Sequence, residues 1–510
     1  MRLADRHLRV DGQGVLAPAD AIRPGRVLLS VDTGFASVPA GQHLVWLLSS
    51  LLARQFLVVS EVLLQVPDVP VRRYVRPFGR AETLPAALIE CIGLVGGGHV
   101  RARLVSERVR DVVDVHLVLG DAQPHRGAKE ILHLFGVGWR WYVGRIPLAT
   151  SPPAQTELSI GPHLAACFGA GEVFKRLRGM RVEKGHFIDQ LFGSAWTMET
   201  SSSWDQLTDG PDANDIKNFG HVYFAGAGAV AQAAALSVAT SRFSGRGSAI
   251  DFDTFDLTND NRYVLSHLDN DGDLKIDILG DYLSANDVPC AKAPVKWEEF
   301  VAARGALSKD AEVSRLERDF RYPLVLSCVD KNVVRHAIQN VLPRLVLGGS
   351  TDGLTARITA YDLGSGGGCL KCFNRIENRN EVVQHRLEQA RAMSSDARRD
   401  FCLELGIAMD DLDRLLAEPK CGKLGESDLE RFARSLPEMS VGFVSAASGI
   451  LLAAQLIRIS MLGLREVMSR GEMLCATFSR PALRHYRLPV DATCNCQAHL
   501  KKAWREMWND

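Results

Sequence analysis

The sequence has no surplus of charge: 60 Lys and Arg balance 60 Asp and Glu across 510 residues. A chain without cationic excess is not built to wrap nucleic acid or lie on an anionic membrane, so neither partner is expected. Cysteine is scarce as well. Eleven is an odd number and a low density, which excludes a disulfide scaffold. It favours a reducing, cytoplasmic setting with metal or catalytic work for some thiols. There is no GxxxxGK[ST] loop, which excludes a P-loop NTPase. The opening MRLADRHLRVDGQG lacks an apolar segment, so no export signal is expected. The stretches 222–241 and 439–457 are uncharged and near the roughly 20 residues needed to span a bilayer. They lack aromatic belts and one-sided basic flanks, and read as buried core segments.

The length implies two or three domains, and 46% apolar with 24% charged residues is the composition of a folded chain. A polar stretch, 191–219, reads as a linker between a first part, 1–190, and a second, 220–510. The second part runs strand (HVYFA), glycine turn, Ala-rich helix and strand (GSAIDFD). A helix from Lys275, a strand (YPLVLSC) and another helix follow. That alternation predicts an α/β fold of Rossmann type. Residues 373–436 are charged with helical spacing and read as an insertion. The first part repeats the order weakly. RVLLSV precedes the helix GQHLVWLLSSLLA, VHLVLG stands where YPLVLSC would, and GPHLAACFGAGEVFKRL stands where the apolar helix near 440–462 would. One fold written twice is expected.

The chemistry concentrates in the second part. Gly226, Gly228 and Ala231 form a GxGxxA turn between a strand and a helix, where glycines let the backbone approach a phosphate. Asp251, at the end of the next strand, can hold ribose hydroxyls. Gly226, Gly228 and Asp251 alone fit an NAD-binding dehydrogenase equally well. Asn259 and Arg262 follow, then Lys275 thirteen residues after Arg262, then Asp330 just past YPLVLSC. Arg262 and Lys275 can neutralise a triphosphate, and Asp330 can hold Mg²⁺. Cys369 with Cys372, and Cys494 with Cys496, supply two thiolate pairs for a structural Zn²⁺, with His499 as a substitute ligand. Cys91, Cys167, Cys290, Cys328 and Cys475 lie in apolar runs and read as packing residues.

In this order the motifs resemble the ubiquitin-activating enzymes and their bacterial relatives, the ThiF/MoeB-like adenylyltransferases of thiamine and molybdopterin sulfur carriers. The resemblance runs from about Phe219 to Gln497, excluding the insertion. Three positions depart from the family pattern: Ala231, Lys331 in place of the usual Asn, and CxC in place of the last CxxC. The resemblance implies two Rossmann-like adenylation folds with an inactive first copy and an active second one. It implies ATP, Mg²⁺ and Zn²⁺. It also implies adenylation of the C-terminal glycine of a ubiquitin-like protein, then a thioester passed to a ubiquitin-conjugating-type partner. Cys421, in a glycine-bearing loop between Lys420 and Lys423, is the implied nucleophile, and Cys402 the runner-up. An arginine donated by the first part is implied, but the sequence does not single it out. The assembly would be a monomeric pseudo-dimer or a homodimer. No ubiquitin-fold domain is expected after Cys496, and a bacterial antiviral conjugation system is the expected setting. Sulfur-carrier adenylyltransferase and NAD-binding dehydrogenase stand as alternatives.

Overall fold

The computed structural model describes residues 24–105, 112–148, 155–180, 186–212, 215, 218–304, 321–365, 367–376, 379–405, 407–417 and 441–508. The chain forms two compact units, a small one of Asn374–Glu438 and a large one of the remainder.

The large unit opens with β1 (Gly25–Val31), α1 (Pro39–Ala53), β2 (Val59–Gln65), α2 (Leu84–Gly96) and β3 (Arg101–Leu104). There follow β4 (Val113–Leu119), β5 (Ala128–Val137), β6 (Arg140–Gly144), α3 (Ile160–Leu177), β7 (Gln190–Ser194) and β8 (Glu199–Ser201). The second series is β9 (His221–Ala225), α4 (Ala229–Thr240), β10 (Arg246–Ile250), α5 (Lys275–Ala285), β11 (Cys290–Ala293) and α6 (Trp297–Arg304). It continues through β12 (Leu324–Ser327), α7 (Asn332–Asn340), β13 (Leu345–Asp352) and β14 (Thr355–Tyr361). The chain then forms the helices of the small unit, α8 (Arg379–Ala392), α9 (Ser395–Leu405) and α10 (Met409–Ala417). It finishes with α11 (Gly442–Leu462), β15 (Met473–Thr477), β16 (Ala482–Tyr486) and α12 (His499–Trp508).

The two series build two eight-stranded sheets of the same strand order, β3-β2-β1-β4-β5-β6-β7-β8 and β11-β10-β9-β12-β13-β14-β15-β16. In each, the first five strands are parallel and the last three antiparallel. The fold is therefore a Rossmann-like α/β sheet made twice. β4 and β12 hold the same place in their sheets, and α3 and α11 the same place in chain order. The stretch 191–219 departs from the expected linker. It supplies nearly all of β7 and the whole of β8, the last two strands of the first sheet. Its composition is polar, but its tryptophans pin it. Trp196 packs against Trp139, Trp204 against Phe135, and the Trp139 indole donates to Pro211 O.

Helices buried on every side hold the copies together. All fifteen residues of α1 are buried. α1 packs on α3, α4 on α11, and α3 on α11. The Phe443 ring lies 5.5 Å from that of Phe174 of the first copy, tilted by 56°, and the Phe478 ring stacks 4.5 Å from that of Phe168. One hydrophobic core contains residues of both sheets. This explains the uncharged runs. Residues 222–241 fold as β9, the glycine turn and α4. α11 is the one helix among the described residues long and apolar enough to cross a membrane by length and composition, and 89% of its most apolar window is buried inside the protein.

Gly449 marks the tightest of these contacts. A Cβ there would lie 2.3 Å from Val230 O and 2.6 Å from Ala233 Cβ. In an open helix Gly→Ala stabilises by about 1 kcal/mol. Here Gly449→Ala is expected to destabilise by about 1–3 kcal/mol through overpacking. Chemical denaturation reads the sign directly, and an unchanged or raised midpoint would contradict this packing.

Candidate active site

The site grows from register. Ala225, the last residue of β9, pairs with Ile250 of β10 on one side and Ser327 of β12 on the other. The three strands therefore end level, and Gly226, Asp251 and Cys328 emerge side by side. β9 and β12 are also where the chain reverses its direction of travel across the sheet. That is the crevice where open α/β sheets bind ligands.

Gly226 has φ +92°, and a Cβ on it would sit 3.0 Å from Cys328 O, so the turn requires glycine. Gly228 caps α4 without any side-chain hydrogen bond, leaving the first-turn N–H groups of the helix facing the crevice. Asp251 has a role that the sequence does not announce. Its carboxylate accepts from Ala227 N at 2.7 Å and from Asp253 N at 2.9 Å, bracing the glycine turn. Burial pushes its carboxyl above the usual range, opposed by those two N–H groups. A carboxylate has about four acceptor positions, so lone pairs remain for a ribose.

The basic residues come from the segment after β10. Asn259 is buried in a short 3-10 turn, and its carbonyl accepts from Arg262 N. Arg262 Nη1 donates to Thr258 O and Asn261 Oδ1, both at 2.8 Å. Lys275 opens α5 and pairs with Asp253 Oδ2 at 3.0 Å. Burial disfavours its ammonium, but Tyr263 and Asp253 beside it outweigh burial and hold its pKa above the ordinary lysine value. Tyr263 gathers the set. Its ring lies 5.3 Å from the Arg262 guanidinium and 5.8 Å from Lys275 Nζ, and its hydroxyl is 3.4 Å from where a Gly228 Cβ would stand. Gly228, Arg262 and Lys275 thus meet around one phenol. Tyr263 and Asp253 were not among the expected site residues; their only sequence signal is adjacency to Arg262 and Asp251. Asp330 is exposed just beyond β12, two residues before α7.

The same place in the first copy is built differently. β1 and β4 also end level, with Val31 opposite Leu119. Asp32 follows β1 where Gly226 follows β9. Its Oδ1 accepts from Gly34 N and Phe35 N, and its Oδ2 from Asp121 N at 2.8 Å. Asp32 thereby caps a separate four-residue helix, Thr33–Ala36, and α1, the counterpart of α4, begins only at Pro39, so the turn after β1 does not lead straight into the long helix as the turn after β9 does. β2 runs on into Val66 and Pro67, so no carboxylate stands at that strand end.

The cysteine pairs converge. The Sγ atoms of Cys369, Cys372, Cys494 and Cys496 lie within 4.8 Å of one another, with separations of 3.7, 3.7 and 3.5 Å along the chain of near contacts. Zn–S bonds of about 2.3 Å in a tetrahedron require S···S edges of about 3.8 Å. The set fits zinc, and CxC suffices without His499. The cluster fastens α12 beneath the second sheet, where the Trp504 and Trp508 indoles donate to Pro343 O and Leu342 O. Cys421 lies outside the described residues. Cys402 is 2% exposed in the core of the small unit, and burial pushes its thiol up, away from thiolate. Cys91, Cys167 and Cys475 are buried, and Cys290 and Cys328 partly so.

No family profile matches the chain. It is 24% identical over 465 residues to the uncharacterized protein y4jF of Sinorhizobium fredii, covering 85% of this chain and 81% of that one. Among solved structures, E. coli MccB with AMPCPP and MccA is similar at 13% identity and a TM-score of 0.33, over 54% of this chain and 66% of MccB. PaaA is similar at 23% identity and a TM-score of 0.22, over 28% of this chain and 41% of PaaA. Likeness of this extent leaves the chemistry to be argued from the residues.

The purified chain is expected to hold about one zinc per molecule, read by elemental analysis. Cys496→Ser should lose it and expose the α12 amides to hydrogen exchange. A metal-free wild type with α12 fully protected would contradict the zinc assignment.

Proposed function

We propose that this chain is an ATP-dependent adenylyltransferase that activates a carboxylate at the C-terminus of a protein or peptide. The observation that carries this reading is the convergence at one switch point: an uncapped helix N-terminus behind a glycine turn, with Arg262 and Lys275 gathered beside it by Tyr263. The N–H groups and the two cations favour a polyphosphate, and Asp251 favours its ribose. Asp330, an exposed carboxylate beside the turn, would hold Mg²⁺, which supplies charge neutralisation when bound. In the step itself a carboxylate oxygen attacks the α-phosphorus. The bond to the β-phosphate breaks and pyrophosphate leaves, its charge met by Lys275 and Arg262. A dehydrogenase would use the glycine turn and Asp251 but gives this pair of cations no work.

The reading places one active site in each chain, in the second copy, since the first has Asp32 in place of the turn glycine, a short separate helix after it, and no carboxylate at the end of β2. Activation alone, as in sulfur-carrier adenylyltransferases, needs nothing further. A finer reading is a ubiquitin-activating type of reaction. The acyl group would pass from AMP to the Cys421 thiolate as a thioester and then to a conjugating-type partner, in a cytoplasmic antiviral system. It is supported by the position of Cys421 between Lys420 and Lys423, which favour a thiolate.

Exchange of labelled pyrophosphate into ATP, with a small protein encoded beside this one as substrate, tests the reading. Lys275→Ala should lower exchange by roughly 10²–10³, the scale of one lost transition-state donor. Asp330→Ala should abolish it, and full exchange in that variant would remove the metal assignment. A thiol-sensitive adduct lost in Cys421→Ala supports the finer reading, whereas exchange without an adduct leaves activation alone.

A further inference from the structure

One side chain crosses from the first copy into the nucleotide loop of the second. Arg54 stands at the C-cap of α1, and its side chain is 1% exposed. Its Nη1 donates to the backbone carbonyl of Asp260 and, at 3.0 Å, to Asp260 Oδ1. Its Nη2 donates to Ser266 O at 2.7 Å, and its Nε reaches Ser50 Oγ at 3.4 Å. Asp260 is fully buried, and burial pushes its carboxyl up to about 6 in spite of Arg54. A buried guanidinium persists only where its donors are met. Two of these acceptors are carbonyls of one loop, on either side of Arg262 and Tyr263. Behind that loop, Gln232 of α4 accepts from Leu265 N and Ser266 Oγ. The corresponding C-cap of α4 is Ser241, which bonds Ser159 N instead. The arginine therefore belongs to one copy only.

We propose that Arg54 is a positioning residue for the nucleotide site. From the first copy it grips the backbone of the 260–266 loop and so fixes where Arg262 and Tyr263 stand. The proposal rests on the adenylation reading above. It gives the first copy a share in the site without any nucleotide of its own. Arg54 does not reach phosphate, because its fork is spent on the loop. Lysine cannot replace it, since a single ammonium does not span two carbonyls in a fixed fork.

The test uses the full chain as Arg54→Lys and as the double variant Arg54→Met with Asp260→Leu, which buries no unpaired charge. Circular dichroism and melting establish folding. Hydrogen exchange at residues 259–267 reads the loop in the absence of nucleotide, and calorimetry reads ATP affinity. In folded variants the loop amides should exchange, and ATP affinity should fall, by roughly tenfold or more, the scale of one lost charge-assisted hydrogen bond. A folded variant with an unchanged loop overturns the proposal, as does a loosened loop with unchanged affinity. A wild type that binds no ATP instead overturns the adenylation reading, and this proposal with it. That result is distinct from an ATP-binding wild type whose variants are indifferent.

Discussion

The large unit depends on a layer of helices with no polar face. α1 and α3 from one sheet meet α4 and α11 from the other, and each is buried almost all round. A sheet of this kind must cover both faces, and here each copy covers the other. Neither half has a solvent-ready surface at that layer. Removing the first copy would expose α11 and Phe478 to water, and would withdraw Arg54 from the 260–266 loop. Each copy is therefore needed to bury the helices of the other.

Against that shared frame the two switch points diverge through very few atoms. In both, adjacent parallel strands end level and release two loops side by side. One loop begins with Gly226, whose positive φ turns the backbone away and leaves a helix end open. The other begins with Asp32, whose carboxylate closes the turn on itself.

Much of this was legible in the sequence because periodicity and glycine placement are local signals. The strands HVYFA and YPLVLSC, the turn at Gly226, and the meeting of Arg262 with Lys275 follow from spacing along one chain. The cysteine pairs were legible too, since soft ligands in separated pairs have few other uses. The strands β7 and β8 were not, because the composition around them is that of a loop and their order comes from Trp139 and Phe135, far away in sequence. Asp251 reads as a ribose ligand, and only the fold shows it bracing Ala227. Arg54 left no trace: it sits at the end of an apolar helix like any solvated cap, and its partners lie more than two hundred residues on.

The central claim is that one fold occurs twice in the chain and binds nucleotide once. Native mass spectrometry of the intact chain with Mg²⁺ and a non-hydrolysable ATP analogue counts the sites directly. One nucleotide per chain is the result this account predicts. Two per chain, or none under conditions where the protein is folded and zinc-loaded, would contradict it.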